Sequence, residues 1–277
     1  MTTYLITGAS RGIGRELTEQ ILAGGDRVAA TLRRPEQLDD LKEQHGDRLW
    51  TRRLDVTDTA EIERVVGAAF ADHDRIDVVV SNAGYGVGGT AEDLDDEHVE
   101  GVIATNLTGS IQLARRVVPH LREQGGGVLV QISSMGGHIA FPGFAIYHAT
   151  KWGVEGYFDS LAQEVAPFGI STVLVEPGMA RTSFYDALQH VPLSPPYVGG
   201  PADSPELQVE DMPGSQSGLA HAIIEAASMD DPPRRLLLNS DAYEMVTTTL
   251  RERLASFEAQ RESAHAADAE YEPVRQC

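Results

Sequence analysis

Short apolar runs recur along the first two thirds of the chain: TYLIT (3–7), DRVAATL (26–32), RLWTRRLDV (48–56), IDVVVSNAG (76–84), GGVLVQISS (126–134) and ISTVLVEPG (170–178). They are rich in Val, Ile and Leu and mostly end in Gly, Asn, Ser or Pro, the pattern of buried strands closed by turns. Amphipathic stretches lie between them. In GIGRELTEQILAGG (12–25), Ile13, Leu17 and Ile21 recur every fourth residue, and Gly24 and Gly25 supply a stop. TAEIERVVGAAFADH (59–73) reads as a second helix, and AEDLDDEHVEG (91–101) as an acid-rich helix start that matches the helix dipole. Strands alternating with helices build βαβ units, so the pattern predicts an α/β protein with a doubly wound parallel sheet covered on both faces.

After residue 184 the texture changes. Residues 185–218 are proline-rich with little periodicity. That is too long for a plain connection, and because it follows a strand, at the end where α/β proteins hold ligands, it is expected to be a substrate-side lid. Helix and strand then resume in LAHAIIEAAS (219–228) and RRLLLNSDAYEMV (234–246), followed by a helix with Val246, Leu250, Leu254 and Phe257 along one side. The expectation is one domain over 1–261 and a polar, frayed tail over 262–277.

Charge narrows the classes of partner. The chain has 277 residues, with 22 Lys and Arg against 42 Asp and Glu, a formal net charge of −20. Such a surface repels nucleic-acid phosphates and anionic lipid, so neither is expected as a partner. No apolar run approaches the ~20 residues of a membrane span. The start, MTTYLITGAS, lacks the features of a secretory signal. The single cysteine, Cys277, is the last residue, so no internal disulfide can form and no cysteine metal site is expected. A reducing cytoplasm fits this best.

TGASRGIG (7–14) follows the first strand and opens the first helix. Its glycines, Gly8, Gly12 and Gly14, let backbone approach a pyrophosphate, and the helix start presents free N–H groups to it. Ser10, Arg11 and Ile13 share this turn. An NAD site carries an acid about 20 residues further on. Here the second strand ends in Leu32, Arg33 and Arg34 without one. With Arg11, such guanidiniums suit a 2′-phosphate, which points to NADP(H) over NAD(H). A solvated surface charge is the competing reading of Arg34. Asp55, in LDV with Val56, could accept from an adenine amino group or belong to a helix start at Asp58. Asn82, Ala83 and Gly84 end the fourth strand, where backbone could line the cofactor.

YHATK (147–151) sets Tyr147 and Lys151 one helical turn apart on a shared face. A neighbouring ammonium favours the phenolate and is expected to lower the phenol's pKa into a useful range. Ser134 closes the fifth strand thirteen residues earlier, and the glycine-rich loop between can fold it back to polarise a carbonyl. Hydride from one side and a proton from the other is what carbonyl reduction needs.

The ordered set TGASRGIG, LDV, NAG, NLTG, ISS, YHATK and EPGMART resembles the short-chain dehydrogenase/reductase family, over residues 3 to about 184. The resemblance implies a Rossmann-like fold in which Tyr147 donates the proton, Lys151 lowers its pKa and binds the nicotinamide ribose, and Ser134 steadies the carbonyl. Asn106, in NLTG, would hold a water in a proton relay; bonding backbone from a helix interior is its other reading. Pro177, Gly178 and Thr182 would contact the nicotinamide side. Pairing into a homodimer or homotetramer is implied by resemblance alone.

The expected function is therefore NADP(H)-dependent interconversion of a ketone or aldehyde and its alcohol. FPGFAIY before the tyrosine and the apolar residues of the lid suggest a hydrophobic substrate, and RRLLLNSDAYEMV adds a likeness to hydroxysteroid-dehydrogenase-like members. A non-catalytic NADP(H)-binding regulator on the same fold and NAD-dependent alcohol oxidation remain the alternatives. His138 and His148 read as structural, and Met135 and Met179 as pocket lining or core filler.

Overall fold

The computed structural model describes residues 1–203 and 209–268. Residues 204–208 of the expected lid and 269–277 of the expected tail lie outside the described residues.

In chain order the strands are β1 (Thr3–Thr7), β2 (Arg27–Leu32), β3 (Leu49–Arg53), β4 (Val78–Ser81), β5 (Val87–Gly88), β6 (Gly127–Ile132), β7 (Ile170–Pro177), β8 (Ala180–Arg181), β9 (Gln189–His190), β10 (Gly214–Ser215) and β11 (Arg235–Leu238). The helices are α1 (Gly12–Ala23), α2 (Asp39–His45), α3 (Thr59–Asp72), α4 (Asp96–Val102), α5 (Ser110–Glu123), α6 (Ala145–Val165), α7 (Gln216–Ala227), α8 (Ser240–Glu258) and α9 (Arg261–Ala266). Seven strands form one parallel sheet in the order β11-β7-β6-β4-β1-β2-β3. The doubly wound α/β expectation holds.

Alternation within each strand explains the two layers. Tyr4 and Ile6 of β1, with Val78 and Val80 of β4, join Leu17, Ile21 and Leu22 of α1 and Ile223 of α7 on one face. Leu5 and Val79 point the other way, against Ile62 and Val66 of α3, Leu113 and Val117 of α5, and Val154 and Phe158 of α6. Both faces are dry, which is why the strands read as unbroken apolar runs.

Element ends differ from expectation in physical ways. Observed β3 stops at Arg53; the Leu54 N–H still donates to Leu32 of β2. From Asp55 the chain turns to α3: the Asp55 N–H donates to Glu61 at 2.8 Å, while the N-cap Asp58 accepts from the Glu61 N–H at 3.0 Å. Of the four apolar residues predicted along one side of α8, only Val246 enters the core; Leu250, Leu254 and Phe257 are exposed. The tail expected to fray from 262 is still helical in α9.

The carboxyl ends of the strands open into a cleft. Residues 185–191, 202–203 and 209–210 line it, and two short strand pairs clasp the neighbouring chain. Residue Gln189 donates its N–H to Gly86 and Val191 to Gly88, so β9 pairs with β5. In the second pair β10 lies beside β8.

Candidate active site

Gly8 and Gly12 sit at positive φ, +69° and +57°, where a side chain is strained. A Cβ at Gly8 would also lie 2.9 Å from Ala83 Cα. The turn is tied to β4 by Asn82, whose Nδ2 donates to the carbonyls of Thr7 at 2.9 Å and Gly8 at 3.1 Å. At the start of α1 no side chain caps the free N–H groups, and the first turn carries no acid. An anion fits this end.

The cleft, about 1730 Å³, brings together Gly8, Ser10, Arg11, Gly12, Ile13, Arg33, Asp55, Val56, Asn82, Ala83, Gly84, Ser134, Tyr147, Lys151, Pro177, Gly178 and Thr182. Two predicted residues stand behind its wall. Gly14 is buried, and a Cβ there would fall 2.5 Å from the Gly8 carbonyl oxygen. Its role is to let the turn close. Asn106 is buried in a π-helical turn (Ile103–Gly109). Its Oδ1 accepts from the Tyr85 N–H at 3.0 Å and its Nδ2 donates to the Tyr85 carbonyl at 2.8 Å. This is the backbone-bonding geometry, and it fixes the 82–85 wall. Asp55, at the cleft wall, bonds locally: its Oδ1 accepts from Thr57 N–H at 3.0 Å and Thr57 Oγ1 at 2.7 Å. Burial works to raise its pKa, but those bonds and the charges of Arg33 and Arg53 hold it below the usual carboxylate range.

At the cleft floor, α6 presents Tyr147 and Lys151 towards the end of β6. Lys151 Nζ donates to the Ile132 carbonyl at 3.0 Å and stands 5.6 Å from the Tyr147 ring centroid. Burial pulls the Lys151 pKa down to about 8, opposed by the Glu155 carboxylate. Burial pushes the Tyr147 hydroxyl up to about 12, opposed by a hydrogen bond with Ser134. The direction is opposite to the lowering expected from the neighbouring ammonium: both groups are buried, and desolvation is the largest cause at each. Tyr147 stands as a neutral acid.

Three comparisons bear on this arrangement. The family model described as short chain dehydrogenase matches residues 2–191. Over 264 residues the chain is 38% identical to the oxidoreductase BOA17 of Botryotinia fuckeliana, covering 94% of this chain and 96% of that protein. This chain belongs to the short-chain dehydrogenase family. Among solved structures, a short-chain dehydrogenase from Streptomyces avermitilis superimposes with a TM-score of 0.88 at 36% identity, covering 97% of this chain and 99% of that one. A closed serine dehydrogenase complexed with NADP+ reaches 0.73 at 26%, covering 86% and 94%. The chain is an oxidoreductase of this type, and none of its described helices is long and apolar enough to cross a membrane.

Several residues supporting this dehydrogenase site carry no sequence motif. His148 Nδ1 donates to the Gly136 carbonyl at 3.0 Å, and its Nε2 accepts from the Phe141 N–H at 3.0 Å. That staples the loop between Ser134 and Tyr147, and burial keeps the imidazole neutral by lowering its pKa. Behind Lys151, Arg235 binds Glu155, Glu176 (2.7 Å) and Asp159 (2.7 Å), while His138 Nε2 reaches Glu176 at 3.0 Å. Burial works against the Arg235 charge, but the bonds to Glu155 and Glu176 outweigh it and raise its pKa. His138, Glu155 and Glu176 are close enough to hold a metal ion, yet the Arg235 guanidinium already bonds both carboxylates.

Proposed function

We propose that this dehydrogenase interconverts a ketone or aldehyde and its alcohol with NADP(H), with Tyr147 as the acid and base. The observation that carries the reading is the convergence of Ser134, Tyr147 and Lys151 on the floor of a cleft whose other end is a glycine turn. The nicotinamide supplies or takes the hydride when bound. Tyr147 Oη, held neutral, donates a proton as negative charge develops on the carbonyl oxygen, and Ser134 Oγ donates to the same oxygen. Lys151 favours the phenolate left behind. Gly8, Ser10, Gly12 and Ile13 and the α1 start would hold the pyrophosphate, with Gly14 letting that turn close. Asn82, Ala83 and Gly84 would line the ribose side, and Pro177, Gly178 and Thr182 the nicotinamide side.

Arg11, Arg33 and Arg34 line the far end of the cleft. Arg15, by contrast, is committed to Glu19 and Asp40. Those three guanidiniums support the preference for a 2′-phosphate. The structure of the related serine dehydrogenase with NADP+ is consistent with it. A substrate-side lid over 185–218 and apolar walls support a hydrophobic substrate.

Titration with NADPH and NADH, followed by cofactor fluorescence, and then a panel of hydrophobic ketones test this. Tight NADPH binding and turnover that falls at least a hundredfold in Tyr147→Phe, with binding kept, is the expected outcome. Preference for NADH overturns the arginine argument. Turnover retained in Tyr147→Phe overturns the role of the tyrosine.

A further inference from the structure

The cleft is electrically lopsided. Its cofactor end is lined by Arg11, Arg33 and Arg34. Its other end is walled by Phe141, Phe144, Phe184, Leu188, Val191 and Met245. Most of the segments that build this second end contain no lysine or arginine: none occurs in 76–114, 123–150 or 182–233. The helix that gives Met245 carries Arg251 and Arg253, neither of which lines the cleft, and Arg253 donates to the His138 carbonyl at 2.6 Å. Lys151 is the exception on the floor, and its ammonium is bonded to the Ile132 carbonyl with Glu155 one helical turn further on. The Arg181 guanidinium is spent on the Met212 carbonyl. Carboxylates do line this end: Asp186, Asp203 and Glu210, all exposed towards its rim. Asp203 also accepts from the Gly199 N–H at 2.7 Å. The remaining groups that could become cationic are His148, whose Nε2 accepts from Phe141, and His190.

We infer that the substrate of this end is an apolar carbonyl compound whose far end is uncharged or carries an amine cation, and that carboxylate- or phosphate-bearing compounds are rejected. This rests on the carbonyl-reductase reading of the same site and says which substrates that reading admits. An anionic group inserted among the aromatic walls would lose its water with no guanidinium or free ammonium to replace it. It would also meet the three carboxylates at the rim, as like charges. A cation at the same position meets attraction instead. The reacting carbonyl itself is neutral, so its approach to Ser134 and Tyr147 is unaffected.

A matched series of acetophenones bearing trimethylammonium, tert-butyl or carboxylate at the ring position opposite the ketone tests this at pH 8, where an ordinary imidazole is neutral. Calorimetry on protein loaded with NADP+ gives dissociation constants without turnover, and NADPH consumption is followed separately. The trimethylammonium and tert-butyl compounds are expected to bind at least tenfold more tightly than the carboxylate. The ammonium-to-carboxylate ratio is expected to shrink in high salt, and in the double variant Asp186→Asn, Glu210→Gln. A carboxylate that binds as well as the tert-butyl compound, or a ratio that ignores salt, overturns the inference. The charge order preserved in calorimetry with no ketone consumed supports it and removes the reductase reading instead.

Discussion

Lys151 bears a charge that its surroundings resist. An unfolded lysine titrates near 10.5, and here the folded value is about 8. Between those two values the unfolded chain holds the extra proton, so stability rises with pH across that window. Below pH 8 the folded state bears the full penalty, about 3 kcal/mol. Lys151→Met removes the charge but gives up the bond to the Ile132 carbonyl, about 1 kcal/mol. The variant should therefore be more stable than the parent at pH 7, by about 1–3 kcal/mol, with the gain gone by pH 10.5. Urea denaturation at the two pH values checks this, and a variant less stable at pH 7 would refute it. A lysine retained at such a cost fits a group that acts on its neighbour rather than one that holds the fold.

The fold rests on a charged junction where α6, β7 and β11 meet. Glu155, Glu176 and Arg235 come from those three elements, and both carboxylates are buried. Arg235→Met would leave two buried carboxylates without their cation, a loss of about 3–5 kcal/mol. A shift in the urea midpoint worth under 1 kcal/mol would show that the junction holds nothing. Such a junction was invisible in the sequence, because its members are separated by up to 80 residues and no local pattern links them. The same limit applies to Asn106, which stands out in NLTG although its partner, Tyr85, lies 21 residues upstream. What was legible was local: strands buried on both faces, the glycine turn, the helical spacing of Tyr147 and Lys151. The direction of the tyrosine's shift was not, since it depends on how dry the assembled site is.

At the scale of the molecule, β9 clasps residues 189–191 to β5 beside the cleft. The Val191 N–H donates to the Gly88 carbonyl at 2.8 Å, and a proline there has no N–H to give. Val191→Pro should raise the KM for a hydrophobic ketone severalfold while the dissociation constant of NADPH stays put; an unchanged KM would mean that the clasp does not govern access. The strand order has a consequence for synthesis. A ribosome delivers the chain from its N-terminus, so α6 and β7 emerge well before β11. Until residue 235 leaves the exit tunnel, Glu155 and Glu176 have no guanidinium between them. The nascent chain therefore reaches the end of the stretch that matches the family model, residue 191, with an unneutralised pair of acids at its unfinished edge. Completion of the sheet waits on one late arginine.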